Sequence, residues 1–544
     1  AEPIQVIHPT MDNSLELIDF QSLPDGQRDK KAQTKIDEMA AVPFDLAAGP
    51  LVRAAVIRTA ETGCYVAITM HHIITDGVSM AIFFKEFAAL YQAAATGLGV
   101  ALEPMGLQYA DYAAWQRQHI NDEAMTGQIG FWRESLSDVS LRLKLPVDKP
   151  RPAVVTTNGS FIEIDWERDF AQCLRTFSQE QGVTLFMTLL TGYQILLSRY
   201  AQQQDFCIGI ASAGRSRSEL ENLIGFFVNS IVVPCRLHGN PTVQKLMERT
   251  RKATLDSYAN QEVPLETLVD ALNIPREMSY LPLVQVAFTM LNLQSGEVHQ
   301  AGDVEFAPYL VENKTAKFEL TLGLNESPSG ISGIFEYNSD LFERETVAHM
   351  LDHLREILEA MMEAPEQSYQ AISLIEEKEL MERLDLDAEN YECVLPLTPM
   401  QRDLYLESLL HPERQQNSLG YTLEIHSVID PLRWAEALQQ VADGHKALRA
   451  EVKRCDLPYA EMAYQTIRRE RQIDYQFIDL SGQGLAEEAI WKQVHATIHH
   501  PYDMDNDPLV SYRLFRINDD HHIFAFAAHH MMLDGVGMSA HARE

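Results

Sequence analysis

The residues best suited to chemistry in this chain are two adjacent histidines, His71 and His72, in the stretch HHIITDG. Histidine exchanges a proton near neutral pH, so a histidine held in a loop can act as a general acid or base. In such a pair, one imidazole can pack against the protein while the other reaches a cavity. Asp76 is expected to brace the loop. Gly77 can permit a tight turn and offer a backbone N–H to a developing oxyanion.

The segments on either side of this stretch are expected to hold it rigidly. Residues 64–70 (CYVAITM) form a short apolar run, which predicts a buried strand. Over residues 78–94 the apolar spacing changes to that of one helical face. The histidines therefore lie where a core strand passes into a helix, a position at which rigid elements hold loop side chains in place.

The same pattern recurs 458 residues later. His529, His530, Asp534 and Gly535 repeat the motif directly after the apolar run at 523–528. A predicted strand hairpin precedes each copy, LVRAAVIR with CYVAITM and LVSYRLFRI with IFAFAA. One such motif can arise by chance, whereas two with matching flanks indicate an internal repeat.

Composition limits the possible function classes. The chain has 544 residues and a net charge of −34, which argues against nucleic acid or an anionic membrane as the main partner. It contains no apolar run of the roughly 18 residues that a membrane span needs. The six cysteines show no CxxC spacing, which favours a reducing cytoplasm over a disulfide framework or a zinc site.

The sequence disfavours two other kinds of site. HHxxxD could formally supply three zinc ligands, but the sequence completes no metal signature, so no metal site is expected. A serine hydrolase needs GxSxG at a strand–helix elbow, and the nearest approach, GIASAG at 209–214, has the wrong spacing. An isolated histidine pair is also more often structural than catalytic.

The pattern of elements predicts a mixed α/β architecture in lobes. We expect one lobe over 1–152, closed by the proline-rich LPVDKPRP, and a second over 153–375. An acidic linker over 376–390 should lead to a repeat of the first lobe over 391–544. The abrupt first and last patterns indicate a piece of a longer polypeptide, for which exposed apolar strands predict poor solubility.

The motifs together resemble one known family. HHIITDG resembles the HHxxxDG core of condensation domains of nonribosomal peptide synthetases, within the chloramphenicol-acetyltransferase-like superfamily. Further matches in the same order are YADYAAW at 109–115, IGFFVNS at 224–230, NQEVPLE at 260–266 and REMSYLPL at 276–283. The second unit opens with LTPMQRDLY at 397–405, and its GHKALR at 444–449 resembles the family's RHExLR.

This resemblance implies a two-lobed fold that forms an amide between a donor acyl or peptidyl thioester and an acceptor aminoacyl thioester. Both substrates would arrive on the phosphopantetheine groups of carrier domains, with no cofactor bound by the unit itself and adenylation domains elsewhere in the parent chain. His72 would accept or steer the amine proton, with His71 and Asp76 structural and Gly77 acting through its backbone. Asn229 would lie near the substrate channel.

Departures from the family pattern concern the braces of the motif. The family's RHExLR arginine is expected to pair with the motif aspartate, and the first unit lacks that segment, which leaves Asp76 without an identified partner. In the second unit Arg449 is expected to pair with Asp534, although Gly444 and Lys446 replace the family's Arg and Glu. The IGFFVN form weakly favours the joining of two L-configured residues.

Three alternatives remain. An epimerisation domain of the same superfamily also carries HHxxxDG, although IGFFVNS and REMSYLPL favour condensation. The second unit could instead be a non-catalytic platform on which carrier domains dock. A free-standing acyl-CoA acyltransferase of this fold is disfavoured because one unit runs directly into another.

Overall fold

A computed structural model describes residues 4–9, 15–97, 99, 102, 105–119, 123–290, 299–301, 304–307, 309, 314–375, 377–457, 463–505 and 507–542. The chain divides into two compact units, residues 1–372 and 373–544. Within the described residues, no helix is both long and apolar enough to cross a bilayer.

The first part of unit one is a three-stranded sheet with its helices. Its elements are β1 (Glu16–Asp19), α1 (Asp25–Ala41), β2 (Val52–Arg58), β3 (Cys64–Met70), α2 (Gly77–Thr96), α3 (Tyr109–His119) and α4 (Glu123–Ser135). β1 runs parallel to β2, and β2 pairs antiparallel with β3. The predicted hairpin and the helix after the first motif are therefore present.

The rest of unit one is built on a six-stranded sheet of order β4-β11-β10-β7-β5-β6. Its elements are β4 (Gly159–Glu167), α5 (Arg168–Glu180), α6 (Leu185–Ala201), β5 (Asp205–Ser212), β6 (Asn229–Arg236), α7 (Val243–Ala259), α8 (Leu265–Ala271), β7 (Val286–Met290), β8 (His299–Ala301), β9 (Val304–Phe306), β10 (Leu320–Ser327), β11 (Gly330–Asn338) and α9 (Arg344–Glu363). The apolar run VQVAFTMLNL predicts a strand over 284–293, of which residues 291–293 lie outside the described residues.

Helix α6 is the centre of this core. It is buried along nearly its whole length, and Thr184 caps its N-terminus by accepting from the N–H of Met187 at 3.3 Å. Gly192 allows close packing on α9, because a Cβ there would lie 2.7 Å from a Leu358 methyl carbon. An alanine would push the two helices apart in an interior that tolerates little added volume.

Unit two contains two further sheets, of order β12-β15-β14 and β13-β18-β17-β16. Its elements are α10 (Glu377–Arg383), β12 (Tyr391–Pro396), α11 (Pro399–Leu410), β13 (Ser418–Ile425), α12 (Pro431–Gly444), β14 (Ala450–Arg454), β15 (Ala463–Arg468), β16 (Asp474–Asp479), α13 (Glu487–Ile498), β17 (Val510–Asn518), β18 (His521–His529) and α14 (Gly535–His541). The order β16, α13, β17, β18, α14 matches β1, α1, β2, β3, α2.

The boundary between the units lies ahead of the linker predicted over 376–390. Leu380 on α10 and Leu386 are buried in one cluster with Tyr391, Val394 and Tyr464 of unit two. These apolar contacts make the segment part of the core of unit two, despite its acidic composition.

Candidate active site

The first motif occupies the turn between β3 and α2. The N–H of His71 donates to the Leu51 carbonyl at 3.0 Å, which extends the β2–β3 pairing by one residue. A single 3-10 turn over His72–Ile74 follows. Asp76 then caps α2 by accepting from the Ser79 N–H at 2.8 Å. The loop is thus fixed at both ends by backbone hydrogen bonds.

His72 is held in one tautomer by its own loop. Its Nδ1 lies 2.7 Å from the Thr75 carbonyl oxygen, which can only accept, so this nitrogen carries the hydrogen. In the neutral ring, Nε2 is then the unprotonated nitrogen. The side chain is exposed, and its ring meets the edge of Phe226 at 5.0 Å between centroids. His72 therefore presents a basic nitrogen outside the turn that holds it.

His71 faces into the loop. Its Nδ1 accepts a hydrogen bond from the Ile73 N–H at 3.1 Å, so the imidazole caps the turn that contains His72. The ring packs edge-on to Phe44 at 5.9 Å. These contacts agree with a structural role for this imidazole.

Asp76 has a partner that the motif pattern did not predict, and that partner is Arg215. The two side chains are 3% and 5% exposed and form a two-pronged ion pair, with Nη1 to Oδ2 at 2.9 Å and Nη2 to Oδ1 at 3.0 Å. The Phe227 N–H also donates to Oδ2 at 3.0 Å. The sequence pattern identified no partner for Asp76, because the arginine that pairs with it lies 139 residues away along the chain.

This environment keeps Asp76 ionised. Burial raises the pKa of the carboxyl group, but hydrogen bonds from Arg215 and from the N–H groups of Ser79 and Phe227 lower it further than burial raises it. The net effect is a pKa below the ordinary value. A permanent carboxylate suits a brace rather than a proton carrier.

Ser79 joins the motif helix to the IGFFVNS loop. Its buried hydroxyl donates to the Gly225 carbonyl at 2.9 Å and accepts from the Gly225 N–H at 3.0 Å and from Arg215 Nη2 at 2.9 Å. Tyr109 closes the other side of this loop, donating its hydroxyl to the Phe226 carbonyl at 2.9 Å. A Cβ on Gly225 would lie 2.2 Å from the Tyr109 ring, so only glycine fits.

Gly77 is the first residue of α2 and is exposed to solvent. Its φ is not in the left-handed region, and the change of direction is made by Asp76 in extended conformation. The expected turn role is therefore not seen. The Gly77 amide does lie at a helix N-terminus, where the first N–H groups lack intrahelical acceptors and favour negative charge.

Asn229 opens β6 and is half-buried. Its Nδ2 donates to the carbonyls of Gln261 at 2.7 Å and Val263 at 3.0 Å. The side chain thus fastens the NQEVPLE segment to the sheet.

The second motif repeats these local contacts at the same offset of 458. His530 Nδ1 lies 3.2 Å from the Leu533 carbonyl, as His72 does with Thr75. His529 Nδ1 accepts from the Met531 N–H at 3.2 Å. The Gly537 N–H donates to the Asp534 carboxylate at 2.7 Å, as the Ser79 N–H does to Asp76 in the first motif. Gly535 begins α14, as Gly77 begins α2.

His529 differs from His71 in burial. It is almost fully buried, and its Nε2 lies 3.0 Å from the Ser408 hydroxyl on α11. Burial, followed by the neighbouring His530, lowers the pKa of His529 to about 4. This imidazole is therefore neutral at physiological pH and serves the core.

The predicted pairing of Arg449 with Asp534 is wrong. Arg449 is buried, donates to the carbonyls of Arg468 and Arg469, and lies 3.5 Å from the carboxylate of Glu392. Asp534 is exposed and caps α14 instead. The guanidinium turns inward because the fold brings the carbonyls that end β15 and the Glu392 carboxylate of β12 next to it.

Among the described residues, His71, His72 and Asp76 do not form a group of three side chains close enough to hold one metal ion. His71 Nδ1 and His72 Nδ1 are engaged within the loop, and Asp76 faces Arg215 rather than the histidines. The side chains that could formally ligate a cation therefore point to different partners among the described residues.

Comparison with protein families decides the assignment. The family model described as "Condensation domain" matches residues 1–382 and again residues 391–544. The chain belongs to the condensation-domain family.

Curated relatives of this condensation-domain chain are named as synthetases or synthases. Malpinin synthetase of Mortierella alpina is 38% identical over 370 residues, covering 67% of this chain and 5% of that protein. Chondramide synthase of Chondromyces crocatus is 37% identical over 377 residues, which cover 69% of this chain and 10% of that protein. The chain thus spans a small part of the length of these relatives.

Solved structures show the same fold. The X-domain from teicoplanin biosynthesis superposes with a TM-score of 0.62 at 23% identity, covering 68% of this chain and 83% of that one. A four-domain nonribosomal peptide synthetase bound to AMP and glycine gives a TM-score of 0.61 at 19% identity, covering 75% of this chain and 31% of that one. The fold is the mixed α/β, chloramphenicol-acetyltransferase-like fold that the motifs predicted.

Two residues of the site were not predicted from the sequence. Arg215 follows β5 in the stretch SAGRSRS, where an arginine beside a buried strand was a signal of a buried ion pair. Ser79 lies in the motif stretch, where it resembles one polar position of an apolar helix. Both act over long sequence distances, which local patterns do not report.

Proposed function

We propose that residues 1–372 catalyse amide formation between a donor acyl or peptidyl thioester and the amine of an acceptor aminoacyl thioester. The family membership and the synthetase relatives support this activity. The observation that carries the proposal is the orientation of His72, whose Nδ1–H is held by the Thr75 carbonyl, which makes Nε2 the unprotonated nitrogen of the neutral ring.

In this reaction the acceptor amine attacks the thioester carbonyl carbon and forms a tetrahedral oxyanion. His72 Nε2 takes or steers the amine proton, which passes to the thiolate as the C–S bond breaks, leaving an amide and a free thiol. The backbone amide of Gly77 is proposed to stabilise the oxyanion. Positioning of the two thioesters supplies the larger part of the rate, up to roughly 7–11 kcal/mol.

The remaining motif residues hold this geometry. His71 caps the turn, and Asp76 locks the loop to the six-stranded part of the unit through Arg215. Asn229 is proposed to line the substrate channel while it fastens the 260–266 segment. The two lobes are proposed as 1–152 and 153–375.

The proposed partners are an upstream donor and a downstream acceptor carrier domain, each delivering its substrate on phosphopantetheine, with adenylation domains in the parent polypeptide. The much longer synthetase relatives and the four-domain neighbour support this arrangement. Residues 391–544 are proposed as the first lobe of a second condensation-like unit, because the motif contacts recur there.

The test uses the complete parent protein with an acyl-loaded donor carrier and an aminoacyl-loaded acceptor carrier. Amide product is followed by mass spectrometry for wild type, His72→Ala, His530→Ala and the control His238→Ala, an exposed histidine of the same unit. We expect His72→Ala to lower the rate about 100-fold or more, within the range of general-base contributions, and His238→Ala to leave it unchanged. Unchanged product with His72→Ala would remove the catalytic assignment from this unit.

Chiral analysis of the same products separates the epimerisation alternative. A donor residue inverted without amide formation would assign the first unit to epimerisation. For the second unit, product unaffected by His530→Ala would favour the docking platform, and lost product would assign it a catalytic role.

A further inference from the structure

Two histidines and a glutamate converge at one end of the four-stranded sheet of unit two. Glu424 lies near the end of β13, His426 directly follows that strand, and His521 is the first residue of β18. One ligand atom from each lies within 4.8 Å of the other two. The opposite end of β18 carries His529, so at about 3.3 Å per residue the cluster is roughly 26 Å from the second histidine motif.

The three side chains already face one another. Nε2 of His426 and Nε2 of His521 each lie 3.8 Å from Oε2 of Glu424. The two imidazoles are stacked, with centroids 4.7 Å apart and an angle of 29° between the rings. Two ring nitrogens and one carboxylate oxygen therefore share a small volume.

His521 provides a separate indication of a ligand. Its Nε2 is buried and has no hydrogen-bond partner among the described residues. A buried polar nitrogen without a partner costs free energy, so such atoms in native proteins call for an explanation. Coordination to a cation would satisfy this nitrogen.

We propose that Glu424, His426 and His521 form a binding site for a divalent cation of the zinc class. Two imidazoles and a carboxylate are a ligand set that zinc uses with water in the fourth position, whereas magnesium and calcium prefer oxygen ligands. Ligands at about 2.0–2.2 Å place neighbouring ligand atoms about 3.3–3.6 Å apart in a tetrahedral site. The 3.8 Å contacts thus need to close by about 0.2–0.5 Å, and Glu424 and His426 are exposed and free to adjust.

The charges nearby are compatible with a cation. Arg516, in the strand leading to the β17–β18 turn, is already paired with Asp479 and Asp519. A bound cation would join the end of β13 to the start of β18. These two strands are antiparallel neighbours, with Ser418 opposite His529 and Ile425 opposite His522. The site therefore acts as a clamp on the sheet, and it is independent of the amide-forming function proposed for unit one.

The experiment uses the full 544-residue chain without a polyhistidine tag, stripped of metal with a chelator. ZnCl₂ is titrated by calorimetry at pH 7.5, because coordination needs unprotonated imidazoles, and CoCl₂ is titrated by visible absorption. We expect one zinc ion per chain with micromolar or tighter affinity, and a melting temperature of unit two that rises with zinc.

Two variants test the histidine ligands, and a third is the control. His426→Gln and His521→Gln should each weaken zinc binding by about 100-fold or more, since even the loss of an outer-shell partner costs roughly 10–100-fold. His411→Gln is the matched control, because Nδ1 of His411 lies 3.8 Å from Glu413 and offers one imidazole with one carboxylate. Circular dichroism of the zinc-free variants checks that each is folded. Absence of stoichiometric zinc binding, or equal affinity in folded His426→Gln and wild type, would overturn the proposal.

Discussion

Removal of the Arg215 guanidinium should be among the most damaging single changes near the first motif. In Arg215→Ala, Asp76 stays buried and loses its counter-charge, while the N–H groups of Ser79 and Phe227 remain as donors. Breaking a buried ion pair from one side costs about 3–5 kcal/mol. We therefore expect the free energy of unfolding of unit one to fall by that amount.

The expected pH dependence follows from the pKa of Asp76. That pKa is lower in the folded protein than its usual value, so the pair stabilises the fold above a pH of about 4 and this contribution disappears as pH falls through the folded-state pKa. The difference between wild type and Arg215→Ala should be complete at pH 7 and shrink in acid. Adding Asp76→Asn to Arg215→Ala should recover part of the loss, because it removes the uncompensated charge.

Urea denaturation provides the measurement, together with hydrogen exchange of peptides that contain the Ser79 and Phe227 amides. Arg276→Ala is the control, since Arg276 is 59% exposed and pairs with exposed carboxylates of Glu266 and Asp270. That change should cost at most about 1 kcal/mol. An Arg215→Ala chain whose stability and amide protection stay within about 1 kcal/mol of wild type at pH 7 would refute the reasoning.

Two further predictions concern packing and burial. Gly225→Ala should destabilise unit one by about 1–3 kcal/mol, because the new Cβ would lie 2.2 Å from the Tyr109 ring; Gly127→Ala, on an exposed side of α4 with no atom within 4 Å, is the control in urea denaturation. Unit two should lose up to about 3 kcal/mol of stability as pH falls from about 6.5 to 4, because the folded-state pKa of His529 is about 4 and the unfolded chain binds the proton first. His529→Asn, which keeps an acceptor near the Met531 N–H, should flatten this part of the thermal-melting profile, and an unchanged profile would assign the acid sensitivity to another group.

The local geometry of the candidate site was predictable because its contacts span only a few residues. The strand, the turn and the helix follow from the apolar pattern, and Thr75, Asp76 and Ser79 lie close enough in sequence to fix His72 and cap α2. The same spacing in the second motif produces the same hydrogen bonds.

The long-range contacts around the motifs were not predictable in this way. Arg449 was assigned to Asp534 from the family pattern, yet its guanidinium found backbone carbonyls and Glu392 beside it. The acidic composition of 376–390 indicated a linker, yet Leu380 and Leu386 pack into a core. In both cases the outcome depends on neighbours brought in by the fold.

The sequence by itself determined the family, the mixed α/β class and the position of the histidine motifs. It also determined the short spacing that lets a backbone carbonyl set the tautomer of His72, since all of these depend on local periodicity and short-range hydrogen bonds. Only the tertiary structure decided which cation neutralises Asp76 and which loop Ser79 holds. Arg215 is 139 residues and Gly225 is 146 residues away along the chain from these partners. A buried charge must find its counter-charge in space, and sequence spacing does not encode which distant segment the fold brings to it.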